Sequence, residues 1–181
     1  QQYDMEFETR NDVTEDEYIA MIHHKTSVLL ACALKLGAIQ ADAPAADQDA
    51  LYRFGEQLGL AFQLQDDYLD VYGDFATFGK RPGGDILCNK KTFMLINALA
   101  RATSSQHNCL KQWLDATDYK PEEKIRAVTD LYDEIGVAPL AREKMNEYYN
   151  QAEKELASVA LPVARKDVLL RYARSLMNRQ S

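Results

Sequence analysis

Residues 62–70 read FQLQDDYLD, which sets Asp66, Asp67 and Asp70 inside a stretch whose other members are largely apolar. Leu58, Leu60, Ala61, Leu64, Tyr68, Leu69 and Val71 surround them and mark a core element. An unpaired carboxylate is expensive to bury, and carboxylates close together repel one another or take up protons. A chain that folds with this cluster in its interior needs something cationic to neutralise it.

Helical geometry sharpens the requirement. Asp66 and Asp70 are four residues apart and share a face, with Gln63 and Asp67 flanking the stripe at helical spacing. Such a row offers hard oxygen ligands along one turn, roughly 5.4 Å of rise. Hard oxygens without a neighbouring His or Cys suit Mg²⁺ or Mn²⁺ better than zinc or copper. Mg²⁺ takes one or two carboxylates and completes its shell with water and substrate phosphates. A solvated acidic helix face is the alternative, and the apolar flanks weigh against it.

The next segment points the same way. Residues 73–92, GDFATFGKRPGGDILCNKKT, hold four of the chain's eight glycines together with Lys80, Arg81, Lys90 and Lys91. Glycines let a backbone approach a phosphate, and lysines supply charge to it. By itself this is ordinary turn composition; beside the aspartates it suits a metal-bridged phosphate site.

These runs, in order FQLQDDYLDVYGD, FGK, GGDI and NKKT, closely resemble the second aspartate-rich region of trans-isoprenyl diphosphate synthases of the farnesyl and geranylgeranyl type. QQYDMEF at the start resembles that family's Gly-Gln-x-x-Asp element without its glycine, and HHKTSVLLACALKLGAI at 23–39 resembles its Lys-Thr helix. The resemblance covers residues 1 to about 100. It implies a prenyltransferase that condenses isopentenyl diphosphate with an allylic diphosphate. By motif position, Asp66, Asp67 and Asp70 would bind Mg²⁺ (Mn²⁺ as the substitute), with Gln63 assisting. Lys25, Lys80 and Lys90 would contact the allylic diphosphate, with Gln1, Asp4 and Thr26 near the same cavity. Lys25, Thr26, Gln63 and Lys80 are the catalytic candidates this implies, and no protein general base is assigned.

The resemblance also implies a fold: all-α, the C-terminal part of the helical-bundle isoprenoid synthase fold, with residues 1–181 as a single domain. Only one Asp-Asp-x-x-Asp is present; DATD at 115–118 and DLYD at 130–133 lack the pattern. The expectation is therefore a C-terminal portion of a longer enzyme, inactive alone and self-associating. Two other readings stand beside it. A non-catalytic partner subunit would have no need of the intact DDYLD and lysines, and a class I terpene cyclase is disfavoured by an aspartate triad followed by FGK and GGDI.

Composition narrows the rest. Hydrophobic content of 46% and charged content of 27% are those of an ordinary globular chain, and 181 residues are enough for a core. A net charge of −7 argues against non-specific nucleic-acid binding. Cys32, Cys88 and Cys109 have no zinc spacing and suggest reduced, mostly structural thiols in a cytoplasmic protein, with no apolar run read as a membrane span. Helical signals run throughout: a capping box at Thr14 and Glu17 opening a helix to about Ile39, then Pro44 to Tyr72, a loop over 73–85, and helices near 86–101, 104–116, 121–135, 138–159 and 164–179. His23 and His24 lack a ligand partner at metal spacing and read as structural. Tyr68, Phe75 and Phe78 read as packing residues, and Arg171, Arg174 and Arg179 as a solvated helix end.

Overall fold

The computed structural model describes residues 2–73 and 82–178. Its regular elements are helices, with no strand among the described residues, as expected where period-two alternation is missing. In chain order they are α1 (Gln2–Thr9), α2 (Glu15–Ile22), a π-helical turn (His23–Ser27), α3 (Val28–Gln40), α4 (Ala45–Tyr72), α5 (Gly84–Leu87), α6 (Phe93–Arg101), α7 (Ser104–Asp115), α8 (Pro121–Ile135), α9 (Val137–Ser158) and α10 (Val163–Met177).

Local chemistry sets most boundaries. The Glu17 amide donates to Thr14 Oγ1 at 3.2 Å and the Thr14 amide to Glu17 Oε2 at 2.9 Å, closing the capping box that opens α2. Thr103 and Gln106 form a second box at the start of α7. Pro121 occupies the first turn of α8, and Gly136, at φ 82°, ends it in the left-handed conformation. Three features depart from expectation. α1 was not anticipated, and the helix entered at Thr14 passes through the π turn. The single helix expected over 86–101 is two, because Asn89 at φ 51° cannot continue a right-handed helix.

The chain divides into two compact units: residues 2–18 with 66–142, and residues 19–65 with 143–178. In the second, Ala50, Phe54 and Leu58 of α4 pack with Ala152 and Leu156 of α9 and Ala173 of α10. Close approach of α4 to the preceding helical run depends on two glycines. A Cβ on Gly59 would sit 2.6 Å from Ser27 Cα, and one on Gly55 2.6 Å from Ala31 Cα. The run Glu15–Gln40 is long and apolar enough to cross a membrane by length and composition alone; Ser27 and Ala31 are seated on these glycines, while Leu29, Leu36 and Ile39 are exposed. In the first unit, Tyr18, Phe93, Met94, Leu110, Val128 and Tyr132 are buried.

Cys32, Cys88 and Cys109 are unpaired, and Cys88 and Cys109 are exposed rather than built into the core. His23 Nε2 meets Glu56 at 2.7 Å and His24 Nδ1 meets the Ala20 carbonyl at 2.6 Å, both structural contacts. Arg171 pairs with Asp167 and Arg174 with Glu153, as a solvated helix end would.

Candidate active site

The aspartate-rich segment lies in the last turns of α4, and helical periodicity separates its three carboxylates. Asp66 and Asp70 are partly accessible, whereas Asp67 is only 3% exposed. The burial cost at Asp67 is offset by Tyr18, whose hydroxyl donates to Asp67 Oδ2. Burial, and then the adjacent Asp67 charge, push the Tyr18 phenol well above its ordinary range, so it remains a donor.

Asp70 does a different job. Its Oδ2 accepts the Asp85 amide at 2.8 Å, and its backbone carbonyl accepts the Gly83 amide. Gly83 adopts φ 94°, and a Cβ on Gly84 would stand 3.3 Å from Asp70 Oδ1. The glycine pair therefore allows the GGDI segment to close onto Asp70. Asp85 in turn receives the Lys90 ammonium at 3.1 and 3.3 Å. Burial opposes the Lys90 charge, but Asp67, Asp85 and Asp4 outweigh it and raise its pKa above that of an ordinary lysine. Asp4 and Lys90 also line a cavity of about 370 Å³ together with Phe7, Glu8, Cys88, Asn89 and Lys91.

In the other unit, the π turn carries Lys25 and Thr26. Thr26 Oγ1 donates to Gln63 Oε1 at 2.9 Å, and Lys25 is exposed beside it. Single π turns recur at functional sites. Two expected site residues, Gln1 and Lys80, lie outside the described residues, as do Arg81, Phe75, Phe78, Arg179 and most of the expected 73–85 loop.

The sequence model of the family described as polyprenyl synthetase matches residues 1–132. The chain belongs to the polyprenyl synthetase family. It is 37% identical over 156 residues to the short chain isoprenyl diphosphate synthase of Methanothermobacter thermautotrophicus, covering 86% of this chain and 47% of that protein. It is 33% identical to the geranylgeranyl diphosphate synthase of Methanosarcina mazei, covering 98% of this chain and 52% of that one. Among solved structures, a geranylgeranyl pyrophosphate synthase superposes with a TM-score of 0.91 at 39% identity, over 100% of this chain and 56% of the other. A polyprenyl synthetase from Streptomyces coelicolor gives 0.88 at 29%, over 97% and 53%. The chain thus spans about half the length of the curated relatives it matches, and it has the all-α fold of its polyprenyl synthase neighbours.

Among the described residues no three His, Cys, Asp or Glu side chains converge into a ready-made metal cage. Asp66 and Asp70 lie four residues, about one helical turn, apart on α4, and both are partly accessible. Sequence reasoning did not single out Tyr18 or Asp85. Asp85 lay within the quoted GGDI, but Tyr18 carries no local signal, because its partner lies 49 positions away.

Proposed function

We propose that this polyprenyl synthetase chain serves in trans-prenyl chain elongation, joining isopentenyl diphosphate to an allylic diphosphate. The observation that carries the reading is the linked set Asp70–Asp85–Lys90 at the end of the DDYLD helix, with the Lys90 ammonium held charged beside acids. A charged lysine next to accessible carboxylates suits a diphosphate leaving group whose negative charge grows in the transition state. The relatives named above as isoprenyl and geranylgeranyl diphosphate synthases support it.

In this reading the allylic carbon–oxygen bond breaks and its electron pair leaves with the diphosphate. The double bond of isopentenyl diphosphate supplies the electrons of the new carbon–carbon bond. Loss of a proton restores an alkene, and the departed diphosphate is the base. Lys25, Lys80 and Lys90 bind diphosphate oxygens, Thr26 and Gln63 hold one another in place beside Lys25, and Gln1 and Asp4 belong to the same substrate-binding set. Asp66 and Asp70 would hold Mg²⁺, which would neutralise diphosphate charge when bound. Asp67 would be the third ligand, its carboxylate held by the Tyr18 hydroxyl.

The same reading takes residues 1–181 as part of one polyprenyl synthetase domain, since the family match runs unbroken through residues of both units. It also takes the protein as cytoplasmic, on its three free thiols, and as self-associating, on the apolar residues that α3 exposes. A non-catalytic partner subunit is disfavoured by the retained Asp70–Asp85–Lys90 contacts, which a scaffold does not require.

Asp66→Ala in the full-length protein that carries this chain tests the assignment. The expected result is a fall in turnover of roughly 10²–10³, the usual cost of removing one electrostatic contributor. Turnover unaffected by that change would remove Asp66 from the reaction.

A further inference from the structure

Between α5 and α6 the chain makes a tight turn over Cys88–Thr92, and the residue that turns it is Asn89 at φ 51°. Glycine is the residue such a conformation favours, and asparagine adopts it at some cost. Here both ends of the asparagine side chain are bound. Nδ2 donates to the Leu114 carbonyl of α7 at 2.9 Å, and Oδ1 accepts the Lys124 ammonium of α8 at 2.7 Å.

Lys124 is the unusual partner. It is 1% exposed, among the most deeply buried side chains described, and its ammonium lies 4.5 Å from the centre of the Tyr119 ring. Burying an ammonium is costly, and an apolar side chain of similar length would fill the same space at less cost. The Asn89 oxygen and the Tyr119 face compensate the charge in part. What the lysine does that an apolar residue could not is fix Asn89, and with it the turn.

The next residue in that turn is Lys90, whose ammonium is delivered to Asp85 at 3.1 Å. We propose that Lys124 and Asn89 form a buried latch that sets the direction of Lys90, making both of them positioning residues for diphosphate binding. This rests on the prenyl-elongation reading, because it takes the Lys90 ammonium as a diphosphate ligand. Lys124 is not part of the cavity lining, whereas Asn89 is; both act on Lys90 through the backbone of the turn.

The test compares Lys124→Met, Asn89→Gly, their combination and Asn89→Asp in the full-length protein. Methionine keeps the stem and loses the charge, glycine keeps the left-handed turn and loses the acceptor, and aspartate keeps the acceptor. The latch predicts a KM for the allylic diphosphate raised about tenfold in Lys124→Met and in Asn89→Gly, the scale of one lost charge-assisted contact, with kcat within about twofold. The double variant should be no worse than either single one, and Asn89→Asp should stay near the unmutated KM. An unchanged KM in folded Lys124→Met, or a double variant whose effect is the product of the singles, overturns the proposal. If Lys124→Met does not fold, equal KM values for Asn89→Gly and Asn89→Asp overturn it instead. If the unmutated protein makes no product from the two diphosphates, the elongation reading fails, and the latch is judged by thermal melting of the same set. Additive changes in Tm, of either sign, then overturn it, and non-additive changes support it.

Discussion

Tyr18, at the close of the first turn of α2, donates its hydroxyl to Asp67 in the last turns of α4, joining residues 49 positions apart. Both are almost fully buried, at 1% and 3% exposure. Without the phenol, Asp67 would lose a partner for a carboxylate that water reaches poorly. Tyr18→Phe removes one oxygen and little volume, so its cost is that of an acceptor left short of a donor, about 1–3 kcal/mol. Chemical denaturation checks this, and an unshifted midpoint would show that the bond contributes nothing to stability.

Two buried phenols and one half-buried one make a second, independent prediction. Burial lifts Tyr18, Tyr72 and Tyr132 above the ordinary phenol value near 10, aided by Asp67, Asp133 and Asp85 respectively. The unfolded chain releases these protons near pH 10 while the folded chain keeps them. Above that pH the unfolded state binds fewer protons, so stability falls as pH rises and is fully present below it. Lys90, also raised, acts in the same direction at still higher pH. Phenolate absorbance read against pH should show at least three of the ten tyrosines failing to ionise until the chain unfolds. Ten tyrosines ionising together near pH 10 in a folded protein would contradict this.

The contact between Gly59 and Ser27 gives a third. Ser27 closes the π turn, and its buried Oγ has no hydrogen-bond partner. A methyl group on Gly59 would meet Ser27 Cα at 2.6 Å and Oγ at 2.9 Å. Gly59→Ala should therefore destabilise by about 1–3 kcal/mol through overpacking. It should also disturb the Thr26–Gln63 bond on the adjoining residues. Ser27→Ala should be neutral or stabilising, since it removes an unsatisfied buried hydroxyl. Melting temperatures of the two variants shifting in the same direction would refute the account.

These contacts also show where sequence reading stops. The capping box at Thr14, the α8 start at Pro121 and the aspartate stripe on α4 were legible, because each depends on residues within one or two turns. The split among the aspartates was not. That Asp67 turns inward to Tyr18, while Asp70 accepts the Asp85 amide, depends on chain segments brought together by folding. The break at Asn89 was missed for a related reason. The asparagine stands in a helix-compatible run, and the partners that hold its left-handed turn, Leu114 and Lys124, are 25 and 35 residues away. The π turn has no propensity signature, and its fit depends on the absent side chain of Gly59.

The last prediction concerns α3. Leu29 is 76% exposed and Leu36 64%, and with Ala33 between them they fall at i, i+4 and i+7 on one side of the helix. Large exposed apolar side chains along one stripe favour association with a matching stripe, and a two-fold pairing of copies would bury both at once. Light scattering should show the chain forming species larger than one copy as concentration rises. Leu29→Glu with Leu36→Glu should return it to the single-copy mass without lowering helical content, because neither side chain belongs to the buried core. A monodisperse single copy of the unmutated chain at high concentration would refute the pairing, as would association untouched by the two glutamates.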